Sequence, residues 1–376
     1  MRIALIRQRY NPFGGAERFV ARAAEALAAE GASVTVFARD WQGGGAVRAV
    51  RCDPFHVGRV WRDWSFARAA CAATARERCD LVQSHERLSC CDIYRAGDGV
   101  HRQWLEHRAR VLGPVARLAQ SLGPYHRYVL GAEARMFASP RLRAVICNSR
   151  MVRGEIRRHF GVDDAKLHVI YNGVDTDAFH PRVRTEFRSA MRAKLGIADS
   201  APVLLFVGSG FERKGVARLV AALAAMPVPD AHVVVVGRDK SERQCRALAR
   251  RLDVAERVHF AGGQQDVRPW YGLADAFALP TLYDPFPNAA LEALACGLPI
   301  VTSTQSGAAE LVAPGSNGYV CDALDIAGLA RDCTDVLALG RDPVAQAAAR
   351  RAAEPLDIAS MAKRLLALYH SLAGGS

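Results

Sequence analysis

Two carboxylates, Asp284 and Glu292, and two adjacent cations, Arg213 and Lys214, are the residues of this sequence whose types and surroundings can do chemistry. Asp284 stands in a Pro-rich turn within TLYDPFPNAALEALACG, which runs from Thr281 to Gly297. Glu292 falls in the middle of a stretch from about Asn288 to Cys296 that is apolar almost all the way round. A helix of that pattern is buried. A carboxylate there is costly unless protein or ligand supplies hydrogen-bond donors. The open N–H groups of the first turn, around Asn288, Ala289 and Ala290, make an anion site. Two carboxylates beside a place suited to phosphate fit a ligand with hydroxyls at both ends and phosphates between, such as a nucleotide sugar. The plainer reading makes Glu292 part of a solvent stripe and Asp284 a turn residue.

Arg213 and Lys214 lie in Gly208-Ser209-Gly210-Phe211-Glu212-Arg213-Lys214-Gly215, straight after the apolar run Val203 to Val207. An arginine there can fork onto phosphate oxygens, and a lysine beside a helix N-terminus supplies a point charge. Plain surface charge has the same outline. Gly14 and Gly15 follow a first apolar run, Arg2 to Gln8, and precede a helix expected from about Ala16 to Glu30. Without side chains they let the backbone approach a ligand and aim amides at phosphate. Asp175-Thr176-Asp177 has the Asp-x-Asp spacing of a metal motif but reads as turn chemistry, so no metal site is expected.

The elements that must hold these residues alternate as β-α-β throughout, with strands expected at Ser33–Phe37, Leu81–Ser84, Ala144–Cys147, His232–Val236, Val258–Phe260 and Ile300–Thr302. That alternation predicts an α/β protein with parallel sheets. At 376 residues the chain suits two domains. The ten cysteines show no Cys-x-x-Cys pair and Cys90 and Cys91 are adjacent; with no signal peptide and no apolar run of spanning length, reduced thiols and a cytoplasmic location are expected. The net charge of +12 calls for an acidic partner. From His101 to Arg143 eight arginines, from Arg102 to Arg143, are opposed only by Glu106 and Glu133, with Trp104, Leu105, Tyr125 and Tyr128 interleaved. This basic insert suits either an anionic membrane surface or solvent. Arg341 to Arg351 reads as a solvated helix face, and Leu356 to Leu372 as an amphipathic helix.

The blocks YNPFGGAER from Tyr10 to Arg18, FVGSGFERKGVARLV from Phe206 to Val220, and DPFPNAALEALACGLPIV from Asp284, in this order along the chain, resemble the retaining family 4 glycosyltransferases of the GT-B fold. The wording NPFGG, GFERKGV and the basic insert are similar to glucosyltransferases that extend the heptose region of the lipopolysaccharide core. The resemblance implies two Rossmann-like domains with parallel sheets facing a central cleft. It places an N-terminal acceptor-side domain at 1–166, a nucleotide-sugar domain at 167–355, entered through VIYNGVDTDAFHP (Val169 to Pro181), and a terminal helix at 356–376 returning to the first domain. It implies that Glu292 holds the nucleotide ribose, Asp284 the transferred sugar, Arg213 and Lys214 the diphosphate, and the Gly15 amide a phosphate; Gly14, Gly208, Asn288, Ala289 and Ala290 complete the donor contacts. His85, Glu86 and Asp98 fall to the acceptor side, with a satisfied loop histidine and cap carboxylates as the other account. UDP-glucose as co-substrate, no metal or other cofactor, a saccharide acceptor in the heptose region, no nucleic acid, and work at the cytoplasmic face of the inner membrane follow from the same likeness. Asp284 in place of the usual glutamate and Phe19 where an acid can stand bear on which sugar is moved, and Pro287 for a common glycine removes one possible amide donor. A nucleotide-sugar epimerase and a basic nucleic-acid adaptor are the rival readings; product analysis separates the first, and a steep salt dependence would mark the second.

Overall fold

A computed structural model describes residues 1–8, 31–41 and 48–374. Gly14, Gly15, Phe19 and the helix expected from Ala16 lie outside the described residues. The chain divides into two compact units, Met1–Gly173 with Ile358–Ser376, and Val174–Asp357. In the first, β1 (Arg2–Ile6), β2 (Ser33–Ala38), β3 (Arg48–Arg51), β4 (Leu81–Ser84), β5 (Ile93–Arg95), β6 (Ala144–Cys147) and β7 (Leu167–Val169) form one sheet of order β3-β2-β1-β4-β5-β6-β7. In the second, β8 (Val203–Val207), β9 (His232–Val236), β10 (Val258–Gly262), β11 (Ala276–Leu279), β12 (Ile300–Ser303) and β13 (Gly318–Cys321) run β10-β9-β8-β11-β12-β13.

Every pairing is parallel. Ile3 to Ile6 and Ala276 to Leu279 are wholly buried. Such continuous apolar runs are what a parallel sheet covered on both faces demands. In each sheet the strand order reverses at one place, between β1 and β4 and between β8 and β11. There the connections leave in opposite directions and open a crevice at the strands' carboxyl ends, the place where open α/β sheets bind ligands.

The structure corrects several expectations. The division comes after Gly173 and not at Leu167, because Leu167–Val169 pairs with β6 as the edge strand of the first sheet. Ile300–Thr302 is not the last strand: Gly318–Cys321 adds β13 beside it, a four-residue segment too short for a periodicity to show. The helix Pro343–Ala353 is not simply solvated, since Ala345, Ala349 and Ala353 are buried. On it, Arg350 donates to the carbonyls of Thr176, Phe179 and Ala295. The thiols are not all reduced: Cys71 is bridged to Cys90, their Cα atoms 5.9 Å apart. The helix Gly58–Arg76 carries Cys71 across to the loop after β4, a contact between residues 19 apart that spacing does not disclose. The eight other cysteines are free.

The terminal helix Ile358–Ala373 belongs to the first unit, where Met361, Leu365, Leu368 and Tyr369 pack against Ile3, Leu5, Val36 and Ile146. Tyr369 donates its hydroxyl to Gln83 on β4. The basic insert is three helices, His101–Ala109, Pro114–Leu122 and Pro124–Phe137. The aromatic residues expected at a membrane, Trp104, Tyr125 and Tyr128, are half-buried between elements. Within the insert the exposed large apolar residues are Val111, and on the middle helix Val115, Leu118 and Leu122, these three at 83%, 60% and 62%. Among the described residues no helix is long and apolar enough to cross a membrane.

Candidate functional site

The crevice between β8 and β11 gathers the residues that the sequence singled out. After β8 the chain makes one helical turn, Phe211–Lys214, between Gly210 and Gly215, both in the left-handed region that suits glycine. Gly215 must be glycine for a second reason: a Cβ would lie 2.0 Å from the Pro280 carbonyl oxygen. This close approach ties the turn to the end of β11. The Arg213 carbonyl accepts from the Leu282 N–H at 2.7 Å and from the Thr281 hydroxyl at 3.0 Å, and the Arg213 guanidinium donates to the Tyr283 carbonyl at 3.1 Å.

Lys214 lies across Gly208, where a Cβ would be 3.0 Å from its Nζ. Its Nζ stands 3.4 Å from Asp284 Oδ2, and Arg213 Nη2 stands 4.0 Å from the same oxygen. Asp284 is 9% exposed and its backbone is pinned on both sides, its N–H donating to Gln305 O and its carbonyl accepting from Gly307 N–H. Gly208, Arg213, Lys214 and Asp284 are thus one cluster.

The helix Asn288–Ala295 follows with Pro287 at its N-cap, and no side chain caps its first turn. Asn288 and Ala289 are half-buried, while Ala290 and Glu292 are buried. Glu292 does not form a solvent stripe: its Oε2 accepts from the Tyr271 hydroxyl at 2.9 Å, and the same hydroxyl lies 3.1 Å from Ala289 O. Tyr271, on the helix Arg268–Leu273, supplies the donor that a buried carboxylate requires, and no local pattern marks it. Asp175 accepts from the N–H groups of Asp177 and Ala178, a turn contact. Among the described residues no group of three or more His, Cys, Asp or Glu could hold a metal.

The first unit holds a second polar crevice, between β1 and β4. His85 is buried rather than open to it, its Nε2 3.3 Å from Gln83 Nε2. Burial, with Arg95 and Arg7 adding to it, pushes its pKa well below the usual value, so the ring is neutral. Glu86 and Asp98 are drawn together by Arg7, at 3.6 and 3.7 Å. Arg7, Gln8, Asp63 and Tyr125 meet there from distant stretches of chain, and no sequence signal placed them together.

Residues 13–178 match the model of Glycosyltransferase Family 4, and residues 187–354 that of Glycosyl transferases group 1. The chain is 27% identical over 325 residues to the lipopolysaccharide glucosyltransferase WaaG of Escherichia coli K12, covering 85% of each chain. It is 30% identical over 398 residues to a D-inositol 3-phosphate glycosyltransferase of Geodermatophilus obscurus, covering 96% of this chain and 85% of the relative. The crystal structure of WaaG superimposes with a TM-score of 0.82, at 26% identity over 96% of this chain and 98% of that one. Anabaena HepE in complex with UDP-glucose shares the fold, with a TM-score of 0.71 at 20% identity over 99% of this chain and 100% of that one.

Proposed function

On the premise that this chain belongs to the family 4 glycosyltransferases of the GT-B fold, we propose that it moves glucose from UDP-glucose to a saccharide in the heptose region of a lipopolysaccharide core, with retention at the anomeric carbon. The observation that carries this reading is the placement of Arg213 and Lys214 around the buried Asp284 at the switch point of the second sheet. In it, Arg213 and Lys214 meet the diphosphate, Asp284 takes hydroxyls of the transferred sugar, and Glu292, already fixed by Tyr271, takes the ribose hydroxyls.

The bond from the anomeric carbon to the diphosphate oxygen breaks and the pair of electrons leaves with the phosphate. Fixed cations stabilise that growing charge without reorganising. Since no side chain is assigned as a covalent nucleophile, an acceptor hydroxyl then attacks from the same face of an oxocarbenium-like sugar and gives its proton to the departing diphosphate oxygen. Arg213, Lys214 and the amides after Pro287 supply the positive charge, so the reaction is proposed to need no metal. UDP and glucose follow the similarity to WaaG and to HepE, whose structure holds UDP-glucose.

A thermal-shift panel of UDP, GDP, ADP and their sugar conjugates in a chelator tests the donor assignment. UDP-glucose at about 100 times its dissociation constant should add roughly 2.7 kcal/mol. Glu292→Gln should weaken that shift, because a neutral amide is a poorer acceptor for two ribose hydroxyls. A shift by GDP or ADP alone, or an unaltered Glu292→Gln, would assign the donor differently. Transfer that survives the chelator supports the metal-free reading.

We also place the enzyme on the cytoplasmic face of an anionic membrane. Support comes from Val115, Leu118 and Leu122, exposed on one nine-residue helix beside Arg117, and from the chain's net charge of +12. An apolar ridge flanked by cations inserts at a headgroup boundary, each cation adding about 1 kcal/mol. Leu118→Ser with Leu122→Ser should release the protein from vesicles containing anionic lipid, as seen by co-sedimentation, with transfer to a soluble acceptor unchanged.

A further inference from the structure

The turn that carries Arg213 and Lys214 has only four helical residues, Phe211–Lys214, with glycine at each end. A helix that short does not hold itself, because forming a first turn fixes several residues for one hydrogen bond. Its N-cap, Gly210, has no side chain to accept from the first N–H groups. A partner from outside the turn must therefore set where the two cations point.

That partner comes from the neighbouring strand. β8 and β9 are parallel and in register, Val207 beside Val236, so the chain leaves the sheet after each of them at the same edge. The two exits touch: the Gly208 N–H donates to the Val236 carbonyl at 2.8 Å, and a Cβ on Gly237 would lie 2.1 Å from the Gly208 carbonyl oxygen. Just beyond, Asp239 sets its carboxylate on the start of the turn. Its Oδ2 accepts from the Gly210 N–H at 2.9 Å, and the Phe211 N–H donates to the carboxylate too. Its Oδ1 is fixed from the other side by Ser241, whose N–H and hydroxyl lie at 2.9 and 2.6 Å. Burial raises the Asp239 pKa, but the donors of Ser241, Gly210 and Phe211 outweigh it and hold the value below the ordinary carboxylate range.

Short links pass this hold on to the cations. The Gly210 carbonyl accepts from the Lys214 N–H at 2.9 Å, one helical turn away. Phe211 is buried and plugs the turn into the core, its ring centre 6.0 Å from that of Phe206 on β8. Arg218, on the helix Val216–Ala225, donates to the Glu212 carbonyl at 3.1 Å. With Asp239 on its first amides, the turn meets a phosphate through its side chains and not through its N-terminus.

We propose that Asp239 is a positioning residue for donor binding: from the end of β9, without touching the ligand, its carboxylate fixes the turn that aims Arg213 and Lys214 at the diphosphate. The inference rests on the donor-site reading above and adds to it a residue outside both segments that carry the site. In the sequence, Val236-Gly237-Arg238-Asp239-Lys240 reads as a charged surface loop; only the pairing of β8 with β9 brings Asp239 to Gly210.

The test is NMR titration of the full-length protein with UDP and with uridine, which lacks the diphosphate that the cations meet. Asp239→Ala should bind UDP about tenfold more weakly and uridine as the native protein does. In protein that already lacks both cations, Arg213→Ala with Lys214→Ala, the same change should alter UDP affinity less than about twofold, because residues that act through one another are not additive. Asp239→Asn has the same size but one oxygen for two sets of donors; it should fall between native and alanine, and it carries the test if circular dichroism shows the alanine variant unfolded. The proposal is overturned if either variant binds UDP as tightly as the native protein or more tightly, if uridine binding is lost in step with UDP, or if the full loss persists without the two cations. Native protein that binds no UDP would sink the donor reading and this inference together, whereas native binding with an unaltered Asp239→Ala sinks this inference alone.

Discussion

Replacing Lys214 with alanine is expected to lower kcat about 10²–10³-fold, with the thermal midpoint close to that of the native protein. The side chain is held where a leaving diphosphate needs charge, across a bare glycine and 3.4 Å from Asp284. Its removal leaves the turn in place, because that turn is fixed by backbone contacts from the Arg213 carbonyl to Leu282 and Thr281 and not by the ammonium. Asp284 keeps Arg213 at 4.0 Å as a partner, so no carboxylate is stranded. Arginine at the same place is not equivalent, since its planar fork is wider than an ammonium and Lys214 is already in contact with Gly208. Initial rates against donor concentration, with a melt monitored by circular dichroism, decide the matter. An alanine variant with native kcat would show that Lys214 is a structural partner of Asp284 and nothing more.

A loss of stability of about 3–5 kcal/mol is expected for Asp275→Ala. Asp275 opens the β11 segment and sits among Arg184, Arg188 and Arg192, with contacts of 3.0, 2.9 and 2.8 Å. It also accepts from the Val203 N–H at 2.9 Å, which joins it to the start of β8. Arg192 has 0% exposure, and its guanidinium donates in addition to the carbonyls of Ala198, Asp199, Ala201 and Leu273. Deleting the carboxylate leaves a cation in the interior with only neutral partners. Urea unfolding should show a lower midpoint with the slope unaltered. A variant as stable as the native chain would mean that the four carbonyls suffice.

The same group sets an acid limit. Burial alone would raise the Asp275 pKa, but the charges of Arg188 and Arg192 and the Val203 N–H outweigh it and hold the value below the ordinary carboxylate range. A depressed folded-state pKa gives stability that is complete above the unfolded value near 3.8 and is lost as pH falls through the folded one. Asp275→Ala should therefore lose less stability than the native protein on going from neutral pH into that acid range.

What was legible in the sequence was whatever is written locally. The strands at Leu81–Ser84, Ala144–Cys147, Val203–Val207 and His232–Val236 have the bounds that their apolar runs gave. Ser149, a residue type that caps helices, follows the apolar run Ala144–Cys147 and accepts from the Val152 N–H. Gly208, Arg213, Lys214 and Asp284 stand in two short segments whose glycines and prolines announce strand-to-helix turns, so their meeting at one crevice follows once the sheet is parallel. Contacts closed by chain crossover were not legible. Tyr271 reaches Glu292, Arg192 reaches Asp275, and Cys71 reaches Cys90 across elements whose mutual placement no spacing encodes. Tyr125 illustrates the point: counted among aromatic residues for a membrane, it instead donates to Asp63 inside the first unit. Arg350 was read as solvated because arginine on an alanine-rich helix has that pattern, yet three carbonyls hold it.

The terminal helix has a consequence for biosynthesis. The second unit is one continuous segment, Val174–Asp357, and all its parts are at hand before Ile358 leaves the ribosome. The first unit is begun earlier and finished later: among the described residues, the apolar side formed by Ile3, Leu5, Val36 and Ile146 gains Met361, Leu365 and Tyr369 only when the terminal helix emerges. At about 5–20 residues per second that interval lasts on the order of ten seconds or more. During it the nascent chain carries an apolar sheet face that a holding chaperone can shield. A transcript truncated before codon 358 would thus yield a finished second half attached to a first half that lacks Met361, Leu365 and Tyr369 on its sheet.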